Sequence, residues 1–513
     1  MRIFIRNITS HLKGELPEAC LEELDEALSF QIPGGQFAID GFEQKQRTKL
    51  AASQIAKKQH LFGRKLHQDE IDKIEQYWNT CELSYKWDGK KHLFNKNQNS
   101  IPTGLLRRTV DIIKEHGIEV EIIDKRVMPK KQFNWSLHGL ELYPDQQQVV
   151  DAAIKKQRGL IQAATGWGKT AAITGLVAGL GRKTLILIHR DSIFQQLYTR
   201  IGRALKAPVM GAIKGNIAQP NLVTIAMIQS VSKPQYAKFL KTIDVVIVDE
   251  VHHVAADQYV SVMNGCTEAF FRYGFSATPF RENSDMLEIE AHTAGFICKI
   301  SPSELIAQGR LARPFIYFLN NPPLTQFENL SWQKQYDYCI VRNDQRNSMF
   351  CLCVAELWKA KKTCLMAVTH IKHGKILLKM LKMEYPLMRV KFIDGSNESH
   401  EKQLALKELN EHKLDVVIAT TVFGEGVDVP NLDAICNLKG NASKIEIIQL
   451  IGRALRVTEK KKVAFYIDAF DGEHYTTRHS KDRINILKKE KEFKIKPLMS
   501  VEEFKIQLEE DLL

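Results

Sequence analysis

Two series of short, continuous apolar runs constrain the fold of this chain most tightly. The first series comprises residues 159–162, 184–188, 222–226 and 244–248. The second comprises residues 315–319, 363–368, 390–393, 415–419 and 434–438. Helical stretches separate the runs, and strands that helices cover on both faces are apolar throughout, so each series predicts a parallel sheet. We therefore expect an α/β protein with two parallel-sheet domains in tandem.

The join between these domains is predicted near residues 300–314, because Ser301-Pro-Ser and the segment from Gly309 to Pro314 supply turn and helix-breaking residues. The regions before and after these domains have other sequence patterns. The N-terminal region mixes strand and helix patterns, and the C-terminal region is rich in lysine and arginine. The predicted division is an α+β accessory domain over 1–140, α/β domains over 141–312 and 313–470, and a basic helical tail over 471–513.

Composition indicates a globular protein with an anionic partner. The 513 residues are 44% hydrophobic, and 72 Lys and Arg against 60 Asp and Glu give a net charge of +12. Nucleic acid and an acidic membrane surface are the usual partners of such a charge. No apolar run reaches the roughly 18 residues of a membrane span, so we expect a cytoplasmic protein with no membrane partner. The nine cysteines show no CxxC spacing, which argues against a zinc site.

A glycine-rich segment follows the first apolar run, namely Ala163-Ala-Thr-Gly-Trp-Gly-Lys-Thr170, and a helical stretch comes next. A turn of this kind between strand and helix directs backbone N–H groups at phosphate oxygens. Lys169 is then expected to reach the β- and γ-phosphates, and Thr170 to hold Mg²⁺. Thr165, Gly166 and Gly168 complete the predicted nucleotide-binding loop. Ala163 stands where the general pattern has its first glycine.

An acidic pair, Asp249 and Glu250, ends the run at 244–248. Hydrolysis of a phosphoanhydride needs a metal ion to neutralise charge and an oriented water molecule. We expect Asp249 to hold Mg²⁺ and Glu250 to polarise the water. A helix cap is the alternative for such a pair in isolation, but the phosphate loop favours catalysis.

Two arginines, Arg453 and Arg456, lie three residues apart in Gln449-Leu-Ile-Gly-Arg-Ala-Leu-Arg456 near the end of the second domain. Guanidinium groups pair with phosphate, so arginines from a second domain would make hydrolysis depend on domain closure. A solvated helix face is the alternative for an isolated pair. The order of the motifs along the chain favours the catalytic interpretation.

With these motifs in order, the sequence resembles the DExH helicases of superfamily 2, whose two domains are RecA-like. Residues 142–146 resemble the Q motif, which implies that Gln146 reads adenine. Segments 163–170, 249–252, 276–278, 419–428 and 449–456 resemble motifs I, II, III, V and VI. The resemblance implies that Gly424 and Asp428 lie at the nucleotide cleft. It also implies that Gln449, Arg453 and Arg456 face the γ-phosphate and its water.

Nucleic-acid contacts in this family go mainly to the phosphate backbone, so movement is possible on many sequences. The positions that match are Arg190, Gln229, Ser230, Thr369, His370 and Thr420. A helix cap is the ordinary alternative for a serine or threonine at a strand end.

The front domain is similar to that of UvsW-like bacteriophage helicases, within the group that includes XPB and restriction-type translocases. The front-domain similarity rests on residues 85–90, 93–95 and 101–106, whereas the resemblance to the wider group rests on residues 305–314 and on residues 423–430 of the second domain. It implies branched DNA as the substrate, remodelled by 3′-to-5′ movement. Trp87 would then stack on a base and Lys90 would bind phosphate, whereas packing in a small core is the open alternative for Trp87. The basic stretch 42–80 has no counterpart.

Three competing interpretations stay open. The motor motifs are shared with DExH RNA helicases, and a double-stranded DNA translocase that serves a nuclease or restriction complex has them too. A nonenzymatic ATP-gated clamp is disfavoured because Lys169, Asp249 and Glu250 are all present. The sequence thus predicts a monomeric, ATP- and Mg²⁺-dependent motor on DNA, with RNA as the alternative track.

Overall fold

The structure is a computed structural model that describes the chain apart from residues 33–34, 81–86, 207–208, 252–255, 278–285, 325–326, 328–329, 421–428, 460, 473 and 513. The chain forms two compact units. One comprises Met1–Met128 with Asn283–Gly295, and the other comprises Pro129–Glu282 with Phe296–Leu513. Within the described ranges, every helix is too short or too polar to cross a bilayer.

The first unit contains a small mixed sheet packed against helices. Its elements up to residue 128 are β1 (Arg2–Ile5), β2 (Thr9–Lys13), α1 (Glu18–Ala27), β3 (Ser29–Gln31), α2 (Gly35–Phe62), α3 (Gln68–Thr80), β4 (Lys90–His92), β5 (Ser100–Pro102), α4 (Leu106–Glu115) and β6 (Glu121–Asp124). The strand order is β5-β2-β1-β6, with β1 and β6 parallel, and β3 pairs with β4. Ile3, Leu24, Ile101 and Ile113 are buried in its core. This arrangement is the predicted α+β fold.

The basic stretch at 42–80 is part of a helical hairpin made of α2 and α3. Ala51, Leu66 and Ile74 form its small core. The guanidinium of Arg47 donates to the carbonyl of Trp78 at 2.7 Å, which satisfies an orphan carbonyl at the end of α3. At least this part of the basic charge therefore stabilises the hairpin itself.

The first parallel-sheet domain has an eight-stranded sheet in the order β10-β9-β11-β8-β12-β13-β7-β14. The elements along this part of the chain are α5 (Pro144–Lys156), β7 (Arg158–Ala163), α6 (Lys169–Leu180), β8 (Thr184–Ile188), α7 (Asp191–Leu205), β9 (Met210–Lys214), β10 (Ile217–Gln219), β11 (Val223–Met227), α8 (Ile228–Val231), α9 (Ala237–Leu240), β12 (Val245–Asp249), α10 (Ala256–Gly265), β13 (Phe271–Ser276), α11 (Met286–Thr293), β14 (Phe296–Ile300) and α12 (Pro302–Ala307). Only β10 runs antiparallel to its neighbour. The four apolar runs of the first series became β7, β8, β11 and β12.

Helix α11 lies between β13 and β14 in sequence but belongs to the first unit. Its Glu290 accepts a bidentate ion pair from Arg108, with a shortest distance of 2.7 Å. Its buried Glu288 pairs with Lys91 at 2.7 Å. The accessory domain predicted over 1–140 therefore differs from the compact unit, which ends at Met128 and takes in a later segment.

The second parallel-sheet domain has seven parallel strands in the order β17-β18-β16-β19-β20-β15-β21. Its elements are β15 (Arg313–Asn321), α13 (Trp332–Tyr336), a π-helical turn (Asp337–Val341), α14 (Asp344–Lys359), β16 (Cys364–Ala367), α15 (Ile371–Glu384), β17 (Val390–Ile393), α16 (Ser399–Asn410), β18 (Val416–Ala419), β19 (Ala434–Asn437), α17 (Lys444–Ala454), β20 (Val463–Asp471), α18 (His474–Leu487), β21 (Lys494–Met499) and α19 (Val501–Leu512). The five runs of the second series fall on β15 to β19, so the predicted pair of parallel-sheet domains is confirmed.

The segment after Asp471, predicted as a basic helical tail, is instead part of this domain. Strand β21 pairs in parallel with β15, and α18 and α19 flank it in sequence. Arg483 is 0% exposed, and its ion pairs with Asp468 at 3.0 Å and Asp471 at 3.7 Å compensate its buried charge. The strand was not predicted because lysines interrupt its apolar pattern. Lysines are typical of edge strands, and β21 lies at the edge of the sheet.

Candidate active site

The predicted catalytic residues of the first domain meet at the carboxyl edge of its sheet. Strands β12, β13 and β7 are neighbours, and they end at Asp249, Ser276 and Ala163. Ligands of open α/β sheets bind at this edge, in the crevice outside the strand ends. The loop after β7 and the residues after β12 are therefore placed beside one another by the strand order.

The loop between β7 and α6 turns through two glycines in the left-handed region, Gly166 at φ +91° and Gly168 at φ +99°. A Cβ atom at Gly168 would come within 2.5 Å of the side-chain nitrogen of Gln146. Only glycine fits this turn without strain. Helix α6 begins at Lys169, so its free N–H groups face the space above the loop.

Gln146 holds this loop from behind. The side chain is 2% exposed, donates from Nε2 to the carbonyl of Trp167 at 2.6 Å, and accepts the N–H of Tyr143 at 3.0 Å. The neighbouring Asp145 accepts from the Trp167 indole at 2.5 Å and pairs with Arg310 at 2.7 Å. Burial raises the pKa of Asp145, but these two donors outweigh burial and hold that pKa below its usual value. Recognition of adenine by Gln146 stays a prediction.

Lys169 and Glu250 form a hydrogen-bonded ion pair, and both side chains are largely buried. Ser276 donates to the other carboxylate oxygen of Glu250 at 3.2 Å. The Glu250 N–H donates to Asp249 Oδ1 at 3.1 Å, and its backbone has φ +50°. A side chain in this left-handed conformation is uncommon and marks a constrained position.

Residues of both parallel-sheet domains line one cavity of about 760 Å³. The predicted residues that line it are Thr165, Gly166, Gly168, Lys169, Thr170, Asp249, Glu250, Gln449, Arg453 and Arg456. Helix α17 lies directly against the phosphate loop, because a Cβ atom at Gly452 would stand 3.0 Å from the Thr165 Cβ. The two arginines thus face the same space as the lysine and the acidic pair.

Among the further residues that line this cavity are one histidine and three arginines that the sequence motifs did not indicate: His138, Arg200, Arg203 and Arg310. The Arg310 guanidinium carbon lies 4.1 Å from the centroid of the Tyr143 ring. Burial, and then the positive charge of Arg200, lowers the pKa of Arg456. The spacing of Gln196, Arg200 and Arg203 on one face of α7 was the available signal. The cavity therefore concentrates positive charge, as an anionic ligand requires.

The predicted nucleic-acid contacts follow the carboxyl ends of parallel strands in both domains. Arg190 comes after β8, Gln229 after β11, and Thr369 and His370 after β16. Gln229, Thr369 and His370 are exposed and Arg190 is half-buried.

Two other predicted contacts are buried. The Ser230 hydroxyl accepts the Gly215 N–H at 3.0 Å, and Thr420 donates its N–H to the Ile393 carbonyl at 3.3 Å. Ser230 therefore has a structural partner inside the fold, and a role of either residue in binding nucleic acid stays a prediction.

Some predicted positions lie outside the described residues, namely His252, Thr278, Gly424 and Asp428. In the first unit, Trp87 packs against Phe42 with ring centroids 5.1 Å apart. Its indole donates to the Lys90 carbonyl at 2.7 Å. These contacts favour packing as the role of Trp87. Stacking on a base and phosphate binding by Lys90 stay predictions.

Comparison with known proteins agrees with this site. Residues 139–281 match the family model of the type III restriction enzyme res subunit, and residues 348–458 match the helicase conserved C-terminal domain. The ATP-dependent DNA helicase uvsW of Enterobacteria phage T4 is 22% identical over 417 residues, which are 75% of this chain and 82% of that protein. The chain is a helicase that resembles those of superfamily 2. It is an ATP-dependent enzyme that acts on nucleic acid.

Two further proteins are similar to this chain. The DNA 3′-5′ translocase XPB2 of Sulfurisphaera tokodaii is 23% identical over 69% of this chain and 88% of its own length. A fragment of a putative HsdR subunit of a type I restriction enzyme from Vibrio vulnificus has the same fold. It is 18% identical, with a TM-score of 0.51 over 76% of this chain and 73% of that one. This helicase therefore shares its fold with a restriction-enzyme subunit.

Proposed function

We propose that this helicase remodels branched DNA, migrating Holliday junctions, regressing stalled forks and unwinding displacement loops and R-loops. The observation that supports ATP-driven movement is a cavity that residues of both domains line. Lys169, Asp249 and Glu250 come from one domain, and Arg453 and Arg456 come from the other. Hydrolysis that needs groups from both domains is coupled to their relative movement. Similarity to a phage DNA helicase and to a DNA 3′-5′ translocase supports DNA as the substrate and 3′-to-5′ as the direction of movement.

Mg²⁺ fits the donors of this cavity. The described residues contain no group of three or more His, Cys, Asp and Glu side chains that could hold a metal. Mg²⁺ is usually bound through one or two protein oxygens together with substrate phosphates and water. Asp249 and the Thr170 hydroxyl, which line the cavity beside Lys169, would hold it. Bound there, the ion would neutralise charge on the phosphates of ATP.

The ion pair between Lys169 and Glu250 suggests how binding of ATP makes Glu250 available for catalysis. When phosphates enter, Lys169 exchanges the carboxylate for the β- and γ-phosphate oxygens. Glu250 is then released to orient water, while Ser276 keeps its second oxygen in place. Arg453 and Arg456 neutralise the γ-phosphate from the opposite domain. Gln449, which lines the same cavity, orients the water with them.

The proposed track for the strand runs along the carboxyl edges of both sheets, through Arg190, Gln229, Thr369 and His370. Contacts of these residues with phosphates would bind many sequences alike, and the net charge of +12 favours a polyanion. We propose that the protein acts as a monomer in the cytoplasm, which is that of the host cell if a phage encodes it. Adenine recognition by Gln146 and cleft contacts by Gly424 and Asp428 belong to the same proposal.

A panel of substrates tests this function. ATP hydrolysis and strand separation are measured on a Holliday junction, a fork, a blunt duplex and an RNA duplex of equal length. Lys169→Ala serves as the inactive reference. We expect the junction and the fork to be processed fastest. Equal activity on all four would remove the preference for branched DNA.

A double-stranded DNA translocase is the second candidate, because the family model over residues 139–281 is that of a restriction-enzyme subunit. Displacement of a triplex-forming strand separates the two functions. A protein that displaces the third strand but leaves forks intact is a translocase without strand separation.

A further inference from the structure

The second parallel-sheet domain contains a pocket of about 380 Å³ that is distinct from the nucleotide cavity. No described residue lines both. Aromatic and aliphatic side chains form its wall, and two lysines, one carboxylate and two residues of the predicted strand track complete it. The residues that carry the argument are Trp332, Tyr336, Asp337, Thr369, His370, Lys372 and Lys439. Pockets of this size with few polar groups are typical of small planar ligands.

The aromatic rings of this pocket are held in place by the fold. Tyr336 is buried, and its hydroxyl donates to the Lys439 carbonyl at 2.7 Å. The Tyr336 ring lies 5.6 Å from the centroid of Trp332 and 5.2 Å from that of His370. His479 of α18 supports Trp332 edge-on at 5.1 Å. Trp332 is half-buried, so a rigid indole borders an open space.

The charges around this space suit a nucleotide unit. Lys372 is exposed, and its ammonium lies 3.8 Å from Asp337 Oδ1. Thr369 and His370 directly precede α15, a helix of 14 residues whose N-terminus attracts phosphate. An apolar peptide would fill the aromatic wall without using the lysine or the helix end. A base joined to a phosphate uses all three.

We propose that this pocket receives one unstacked base of the DNA single strand that the helicase follows, with the base on Trp332 and the adjoining phosphate at Lys372. The inference rests on the proposed function, since it adds a base subsite to that strand track. A paired base cannot enter, because its faces are stacked in the duplex. The pocket would therefore distinguish a separated strand from a duplex, which contacts with phosphates alone cannot do.

Binding of base-containing and abasic strands tests the inference. The full chain is titrated with a mixed-sequence DNA single strand and with a strand of equal length built from abasic units. We expect wild type to bind the base-containing strand roughly 5- to 30-fold more tightly. Trp332→Ala should lose that preference, and Trp332→Phe should keep part of it. The salt dependence of binding should not change, because it reports phosphate contacts.

Tyr338→Ala is the matched control. Tyr338 is an exposed aromatic residue of the π-helical turn that follows α13, it stacks on Phe327 at 4.7 Å, and it does not line the pocket. Its removal should leave the base preference intact. A Trp332→Ala variant with the wild-type preference would overturn the inference, as would a preference confined to RNA strands. If DNA stimulates ATP hydrolysis by the wild type but binding does not depend on the bases, only the base pocket is refuted. If the wild type binds no nucleic acid, the proposed function is refuted.

A measurement on the wild type guards against misfolding of the variants. A DNA strand that carries 5-iododeoxyuridine is irradiated in the complex, and the crosslinked peptide is identified by mass spectrometry. We expect a crosslink in the peptide that contains Trp332 and Tyr336. Crosslinks found only in other peptides would overturn the assignment.

Discussion

The side chain of Glu250 is held at both carboxylate oxygens, and its φ of +50° shows that the backbone is constrained there. Lys169 holds one carboxylate oxygen and Ser276 the other. The positive and negative charges neutralise each other inside a largely buried space, where neither would be stable alone. The site is therefore preorganised before ATP enters.

Glu250→Gln should separate ATP binding from hydrolysis. The amide keeps the shape of the side chain but cannot polarise water, so we expect kcat to fall by about 10²- to 10⁴-fold. Binding of a fluorescent ATP analogue should persist. Phosphate release in the presence of DNA measures the first effect and fluorescence titration the second. Glu268→Gln, which changes an exposed carboxylate, is the control; normal turnover in Glu250→Gln would contradict the assigned role.

His373 predicts a pH dependence of stability. Burial, and then the charges of Arg346 and His370, lowers the pKa of His373 from 6.5 to about 3. Its Nε2 is 2.8 Å from Asn347 Oδ1, and Nδ1 is buried without a hydrogen-bond partner among the described residues. The unfolded chain binds a proton near pH 6.5 whereas the folded chain does not. The stability is therefore complete above pH 6.5 and is lost as pH falls towards 3.

Urea unfolding at pH 7 and pH 5 measures this effect. Between these values we expect His373 to remove about 2 kcal/mol from the free energy of unfolding. In His373→Gln this part of the dependence should vanish. His400→Gln, at an exposed histidine, should retain it. An unchanged pH dependence in His373→Gln would refute the argument.

Residues of the site were predictable where the chemistry is local in sequence. Lys169 and the acidic pair stand next to glycines or at strand ends, so spacing alone identified them. Arg310 was not predictable, because it meets Asp145 and Tyr143 only in the folded chain. Arg200 was indicated only by its spacing from Gln196 and Arg203 on α7, because its neighbour in the cavity, Arg456, belongs to the other domain.

At the scale of elements, strands were predicted where they are apolar throughout and missed where they carry charge. Strand β13 contains Arg272, which is buried and donates to the carbonyls of Met263, Cys266 and Ala269. Strand β20 contains Asp468, which Arg483 neutralises from α18. Carbonyls three to nine residues earlier in the chain accept from Arg272, and an arginine 15 residues later neutralises Asp468, so these charges are tolerable in the core. A local pattern does not show such partners.

Gly104 allows α11 to pack into the first unit. A Cβ atom there would stand 2.0 Å from the Glu290 carbonyl oxygen and 2.5 Å from that of Ala291. Backbone atoms cannot move aside cheaply, so Gly104→Ala should lower the stability of this unit by about 1–3 kcal/mol or more. Hydrogen exchange of peptides from α11 and α4 measures the loss of protection.

Gly41→Ala provides the comparison. Gly41 lies in α2, and among the described residues no atom beyond its chain neighbours and the backbone of its own helix lies within 4 Å of an added Cβ. Because alanine favours helix over glycine, this change should be neutral or stabilising by up to about 1 kcal/mol. Equal protection in the two variants would mean that α11 does not pack as described.

At the scale of the whole molecule, the contact between α17 and the phosphate loop joins the two parallel-sheet domains. Gly452→Val would place branched atoms where even one Cβ stands 3.0 Å from Thr165. The arginines would then be held away from the phosphates, so we expect kcat to fall by about 10²-fold. ATP binding, which uses mainly the first domain, should change less.

Single-turnover hydrolysis and nucleotide titration separate these two effects. Gly452→Ala adds the smallest side chain and should give an intermediate rate. If Gly452→Val hydrolyses ATP as wild type does, the close approach is not required for catalysis.

The discontinuous first unit bears on how this protein can be taken apart in the laboratory. A fragment that stops at residue 128 would leave behind the acidic partners of Lys91 and Arg108, which are supplied by residues 283–295. A fragment that starts at residue 129 would carry that segment without the core it completes. A loss of activity in such fragments would reflect damage to both of them. Point substitutions are therefore the better way to assign functions to the two units.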